Sequence, residues 1–197
     1  VSQRTVSGRV LAMRRRGRLL VRASDLRIIA LFVFVVAFAV RAYWALRVQK
    51  PLDSLYSDMG GYVLRAELAL KGEIPGEPRM LLLWPWGTHA IVAGEIAVFG
   101  RQSPVAFGLS HAFVGAIAAP CASSLTARFL ESRVAVLLAG LVVALWHPHI
   151  VYSGFVTSEI WFTTTILLAT VFLVRWSERK RGLLFAGIMI AIAFCVR

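Results

Sequence analysis

Apolar positions fill the chain in long runs separated by short polar segments. The first run, residues 26–48, reads LRIIALFVFVVAFAVRAYWALRV. It is long enough for the roughly 30 Å hydrocarbon core of a bilayer. Tyr43 and Trp44 stand near its far end, where an interfacial aromatic belt belongs. Polarity then rises over residues 49–87, and Pro51, Pro75, Pro78 and Pro85 make this stretch a folded loop rather than a linker. Residues 88–100 are apolar but too few to span, so they predict an interfacial helix. Further spans are expected at about 104–127, 134–151, 160–174 and 183–197. The span at 104–127 is rich in Gly, Ala and Ser, which suits close helix contact. The expected fold is all-α: about five transmembrane helices, with an outer loop, 49–103, of juxtamembrane amphipathic helices. The last run has 15 residues, roughly 22 Å of helix at 1.5 Å per residue, so the chain is expected to stop inside a helix as an incomplete module.

Composition agrees with a membrane protein. The chain is 58% hydrophobic and 16% charged, against roughly 45–50% and about 25% in ordinary soluble domains. A net charge of +12 could point to nucleic acid, but its distribution points elsewhere. Residues 1–25 hold Arg4, Arg9, Arg14, Arg15, Arg16, Arg18 and Arg22 with no interleaved aromatics, and Asp25 alone opposes them. Such a block is a cytoplasmic positive-inside arm rather than a nucleic-acid surface, with contact to anionic lipid as a by-product. The expected inner turns carry Arg128, Arg133, Arg175, Arg179, Lys180 and Arg181 against Glu131 and Glu178. The outer stretch from Arg47 to Arg101 balances six basic with six acidic residues. The N-terminus is therefore expected inside, in a plasma or inner membrane. Cys121 and Cys195 both lie in apolar segments and form no disulfide or metal pattern.

Candidate chemistry sits at the outer ends of the spans. In LYSDMGGYVLRAELALKG, Ser57 and Asp58 are suited to cap a helix that Gly72 would stop. The sharper reading makes Asp58 a catalytic carboxylate at the membrane surface, kept ionised by the helix start and able to take a proton from a substrate hydroxyl. Glu159 opens a later span on the same expected side, again as a capping residue or a second site acid. In WPWGTH, Trp84 is an interfacial anchor or a stacking surface for a sugar ring, with His89 beside it as a further substrate contact. Arg41, near the outer end of the first span, either snorkels outward or pairs with a loop acid or a bound phosphate. His147 and His149 lack a clear third metal ligand.

The order of these segments is similar to one known family pattern. An Arg-rich start and a span precede YSDMGGYVLRAELALKGEIP and LWPWGTHAIVAGEIAVFG; HPHIVYSGFVTSEIWF and RGLLFAGIMIAIAFCVR follow. This resembles the N-terminal module of GT-C glycosyltransferases, over about residues 26–197, closest to the protein O-mannosyltransferase, aminoarabinose and lipopolysaccharide-core branch. Trp86 stands where many of those proteins have a second proline. The resemblance implies inverting sugar transfer from a polyprenyl-phosphate donor in the membrane to an extracytoplasmic glycan, lipid or protein acceptor, with no cofactor or metal required. It implies Asp58 as general base, Tyr62 supporting it, Glu159 as second acid, and Arg41, Arg79 or Arg101 facing the departing phosphate. A small transporter or flippase would instead place ionisable groups at mid-membrane on repeat-related broken helices. An inactive scaffold subunit is the remaining alternative.

Overall fold

The computed structural model of the chain describes residues 21–73, 86–101, 103–176 and 180–197. All regular structure among them is helical. Helix α1 (Ala23–Tyr43) runs on through a π turn, Trp44–Val48. The two make one apolar helix of 26 residues, enough to cross a bilayer. A polar connection leads to α2 (Asp58–Leu70) and then α3 (Trp86–Phe99). α4 (Pro104–Ala116) and α5 (Ala118–Phe129) join into a second helix of crossing length. α6 (Arg133–Ala144) is followed by α7 (His147–Val151) and a 3-10 turn, Tyr152–Gly154. α8 (Glu159–Trp176) and α9 (Lys180–Val196) close the described chain.

The expected span at 134–151 is not one helix. α6 and the His147–Gly154 segment meet at a bend of 51° and make at most one broken span. Trp146 leaves helical geometry at φ −66° and ψ 106°, and Pro148, near the start of α7, has no N–H to continue the ladder of α6. Two described helices have the length and hydropathy of a crossing, and the bent pair raises that to three.

Small residues let the helices approach, as the composition of residues 104–127 predicts. Val33 and Ala37 of α1 are fully buried against Ala116, Ala119 and Ala144 of α4, α5 and α6. At Gly140 an added Cβ would lie 2.8 Å from Val33 Cγ1, so α6 tolerates no side chain there. Ser123 donates to Val136 O at 3.0 Å, which satisfies its buried hydroxyl. The opposite face of α1 exposes Ile28, Leu31, Phe32 and Val35, and α6 exposes Val134, Leu138 and Val142 at helical spacing. Such surfaces suit lipid and not water.

A separate apolar cluster lies at one end of the bundle. Met59, Tyr62, Val63 and Ala66 of α2 pack with Val92 of α3, Phe107 of α4 and Val156. The spacing of those four residues explains the folding of α2 onto the other helices: positions i, i+3, i+4 and i+7 form one stripe. Gly72, at φ +74°, stops α2 as its position predicts. The N-terminal cap differs from expectation. Asp58 is the first helical residue, and Ser57 makes no side-chain cap bond. Ser57 stands at φ 52° and ψ −128°, far from the extended geometry from which a cap reaches the first amides. Its hydroxyl donates instead to Asp58 Oδ1 at 3.4 Å.

Candidate active site

α2 presents Asp58, Tyr62 and Arg65 at i, i+4 and i+7, on one helical face. Asp58 is exposed, whereas Tyr62 and Arg65 are buried. The segment Val156–Ser158 lies against this face and ends at Glu159, the first residue of α8. Burial raises the Tyr62 phenol above its ordinary value of 10.0; a side-chain hydrogen bond with Ser158 opposes that, the charges of Asp58 and Glu159 push further up, and Arg65 pulls down. One phenol therefore feels both carboxylates. The charges of two acids far apart in sequence thus both reach Tyr62, whose phenol stays protonated at neutral pH.

Beneath this cluster a buried polar contact joins α3 to α4. Glu95 accepts a short hydrogen bond from Ser110 Oγ. His111 Nε2 lies 3.5 Å from the other Glu95 oxygen. The His111 ring meets Phe107 and Trp161 edge-on, which ties the contact to α8 two residues beyond Glu159. The start of α3 is held from another direction: Thr88 Oγ1 donates to Val196 O at 2.7 Å. His89 is buried next to it, with its ring 5.1 Å from that of Trp86.

Arg41 does not snorkel. It is fully buried, and among the described residues no acid pairs with it. Nη1 donates to Ala37 O at 3.1 Å and Ala144 O at 2.8 Å, Nη2 to Val143 O at 3.1 Å, and Nη2 also lies 2.9 Å from His149 Nδ1. The last carbonyls of α6 have no partners of their own after the bend, and the guanidinium fork supplies them. Arg41 thus fixes α6 and α7 at the break and, through them, the chain that carries Ser158 and Glu159. Arg101 forms an ion pair with Glu67 at 2.7 Å on the exposed side of α2 and α3. Arg79 and Trp84 lie outside the described residues. His147 meets Trp44 edge-on, apart from any metal arrangement: among the described residues no three His, Cys, Asp or Glu side chains could share an ion.

The fold thus brings Asp58, Tyr62 and Glu159 together, and it adds Arg65 and Ser158, which sequence reasoning missed. The i, i+4, i+7 spacing was a usable signal for Arg65. Ser158 had none, because its role depends on a contact with a distant helix.

A family model described as dolichyl-phosphate-mannose-protein mannosyltransferase matches residues 87–197, which include Glu159 and begin after Asp58 and Tyr62. No curated protein and no solved structure matches the chain.

Proposed function

Because the chain belongs to the dolichyl-phosphate-mannose-protein mannosyltransferase family, and is thus a membrane glycosyltransferase by kinship, we propose that it moves a sugar from a polyprenyl-phosphate donor to a hydroxyl acceptor at the outer membrane face. The donor's tail stays in the bilayer and its head reaches the end of the bundle where α2 and α8 start. Asp58 accepts the proton of the acceptor hydroxyl. That oxygen attacks the anomeric carbon opposite the phosphate, the bond from carbon to phosphate oxygen breaks, and the configuration inverts. Tyr62 donates a hydrogen bond within the site, and Glu159, at the start of α8, is its second acid. Arg65, on the same helical face as Asp58 and near enough for its charge to act on Tyr62, is the cation we assign to the departing phosphate. The positive charge of the basic arm and inner turns supports a cytoplasmic N-terminus and an extracytoplasmic site in a plasma or inner membrane.

The convergence of Asp58 and Glu159 on Tyr62 carries this reading. Its test is transfer from a radiolabelled polyprenyl-phosphate sugar by membranes that contain the chain. Asp58→Asn is expected to lower transfer at least a hundredfold, within the range of a lost general base, with normal membrane insertion. Transfer at the parent rate in Asp58→Asn, or none by the parent chain itself, would remove the assignment.

A further inference from the structure

At the end of the bundle opposite Asp58 and Glu159, a groove of about 420 Å³ opens between α1, α5 and α8. Its walls are mostly apolar, from Leu26 and Ala30 of α1 and Leu168 of α8. Two cations stand in it, Arg27 of α1 and Arg175 near the end of α8, and no acid lines it among the described residues. Ser124 of α5 accepts from Arg175 Nη1 at 2.8 Å, which fixes the guanidinium at the wall. Arg128 is close enough to repel Arg175. Asp25, the acid nearest to Arg27 in sequence, is already bound to Arg133 at 2.8 Å in a neighbouring groove. An apolar slot in the bilayer with concentrated positive charge at its mouth is complementary to a lipid with an anionic head and hydrocarbon chains.

We propose that this groove is a binding site for an anionic diacyl phospholipid, with its phosphate between Arg27 and Arg175 and an acyl chain along Leu26, Ala30 and Leu168. The site is separate from the sugar-transfer site. Glu159 and Arg175 start and end the same helix, roughly 24 Å apart at 1.5 Å per residue. A lipid held here would clamp α1 to α8 at the basic end of the bundle, away from the reacting groups.

The test uses the detergent-purified, delipidated chain with phosphatidylglycerol and phosphatidylcholine added back, and lipid retention read by native mass spectrometry. Phosphatidylglycerol is expected to bind and phosphatidylcholine to bind far more weakly. Arg27→Gln, at an exposed position, should weaken phosphatidylglycerol about fivefold, and Arg27→Gln with Arg175→Gln about thirtyfold, the effect of one and two charges at a lipid head. Ala30→Trp fills the slot and should abolish retention with both arginines in place. Equal binding of the two phospholipids, parent-like retention by Arg27→Gln and the double variant, or displacement of phosphatidylglycerol by polyprenyl phosphate would overturn the proposal.

Discussion

Gly154 offers a sharp test of how the bend positions the site. An added Cβ there would lie 2.5 Å from the backbone oxygen of Gln49, 2.8 Å from its Cβ and 2.9 Å from its Cγ. Comfortable carbon contacts begin near 3.5 Å, so the 3-10 turn must retreat by about 1 Å. The obstacle includes backbone at the end of the π turn, which no rotamer change relieves. Overpacking of this kind costs about 1–3 kcal/mol, and a midpoint of 2 kcal/mol corresponds to a fall of about 6 °C in Tm for a chain of this size. The turn leads within a few residues to Ser158 and Glu159, so its displacement should also loosen the Ser158 contact with Tyr62 and reduce sugar transfer. Gly187→Ala is the control: nothing lies within 4 Å of a Cβ at that point of α9, and Ala should leave Tm unchanged or raise it slightly through helix propensity. Thermal unfolding in one detergent, with transfer measured on the same preparations, compares the two. If Gly154→Ala melts and transfers like Gly187→Ala, the close approach of the turn to Gln49 is wrong and so is the positioning of Glu159 derived from it.

Arg41→Met should destabilise the chain by about 3 kcal/mol, because carbonyls of α6 and the His149 ring lose their charged partner in a buried place; Arg41→Lys should recover only part of this in the same melting assay, since an ammonium cannot reproduce the planar fork. The raised Tyr62 phenol means that the folded chain holds its proton more tightly than the unfolded chain does. Its contribution to stability is intact below pH ~10 and falls as pH rises beyond that value. Melting temperatures between pH 8 and 11.5 should therefore drop less steeply in Tyr62→Phe than in the parent, and equal slopes would refute the burial of that proton.

Much of the fold was legible because membrane spans announce themselves by length and apolarity. The run 26–48 became a continuous helix through Val48, and the small residues of 104–127 became the close contacts at Ala112, Ala116 and Ala119. The bend after Ala144 was less legible: hydropathy averages over a break, and the geometry of Trp146 and Pro148 decides it. Arg41 shows a similar limit. Its sequence position fitted snorkelling, yet the bend creates unpartnered carbonyls that attract the guanidinium inward, and no periodicity encodes that. At the site, the expected topology grouped Asp58 and Glu159, and the charges of both act on Tyr62. Arg65 was hidden by its resemblance to an ordinary surface arginine of an amphipathic helix. Ser57 and Asp58 matched a capping sequence, but a positive φ at Ser57 replaced the cap with a bond between the two side chains.

Site-directed cross-linking tests most directly whether the two acids share one pocket. With Cys121 and Cys195 replaced by Ala, Asp58→Cys and Glu159→Cys are combined in one chain and treated in sealed membrane vesicles with a short, membrane-impermeant bifunctional methanethiosulfonate. An intramolecular bridge is predicted in the double variant, formed from the outer face only, with each single-cysteine variant mono-labelled and unbridged. Reaction of the two cysteines from opposite faces, or mono-labelling of both with no bridge, would contradict the convergence on which the proposed chemistry stands.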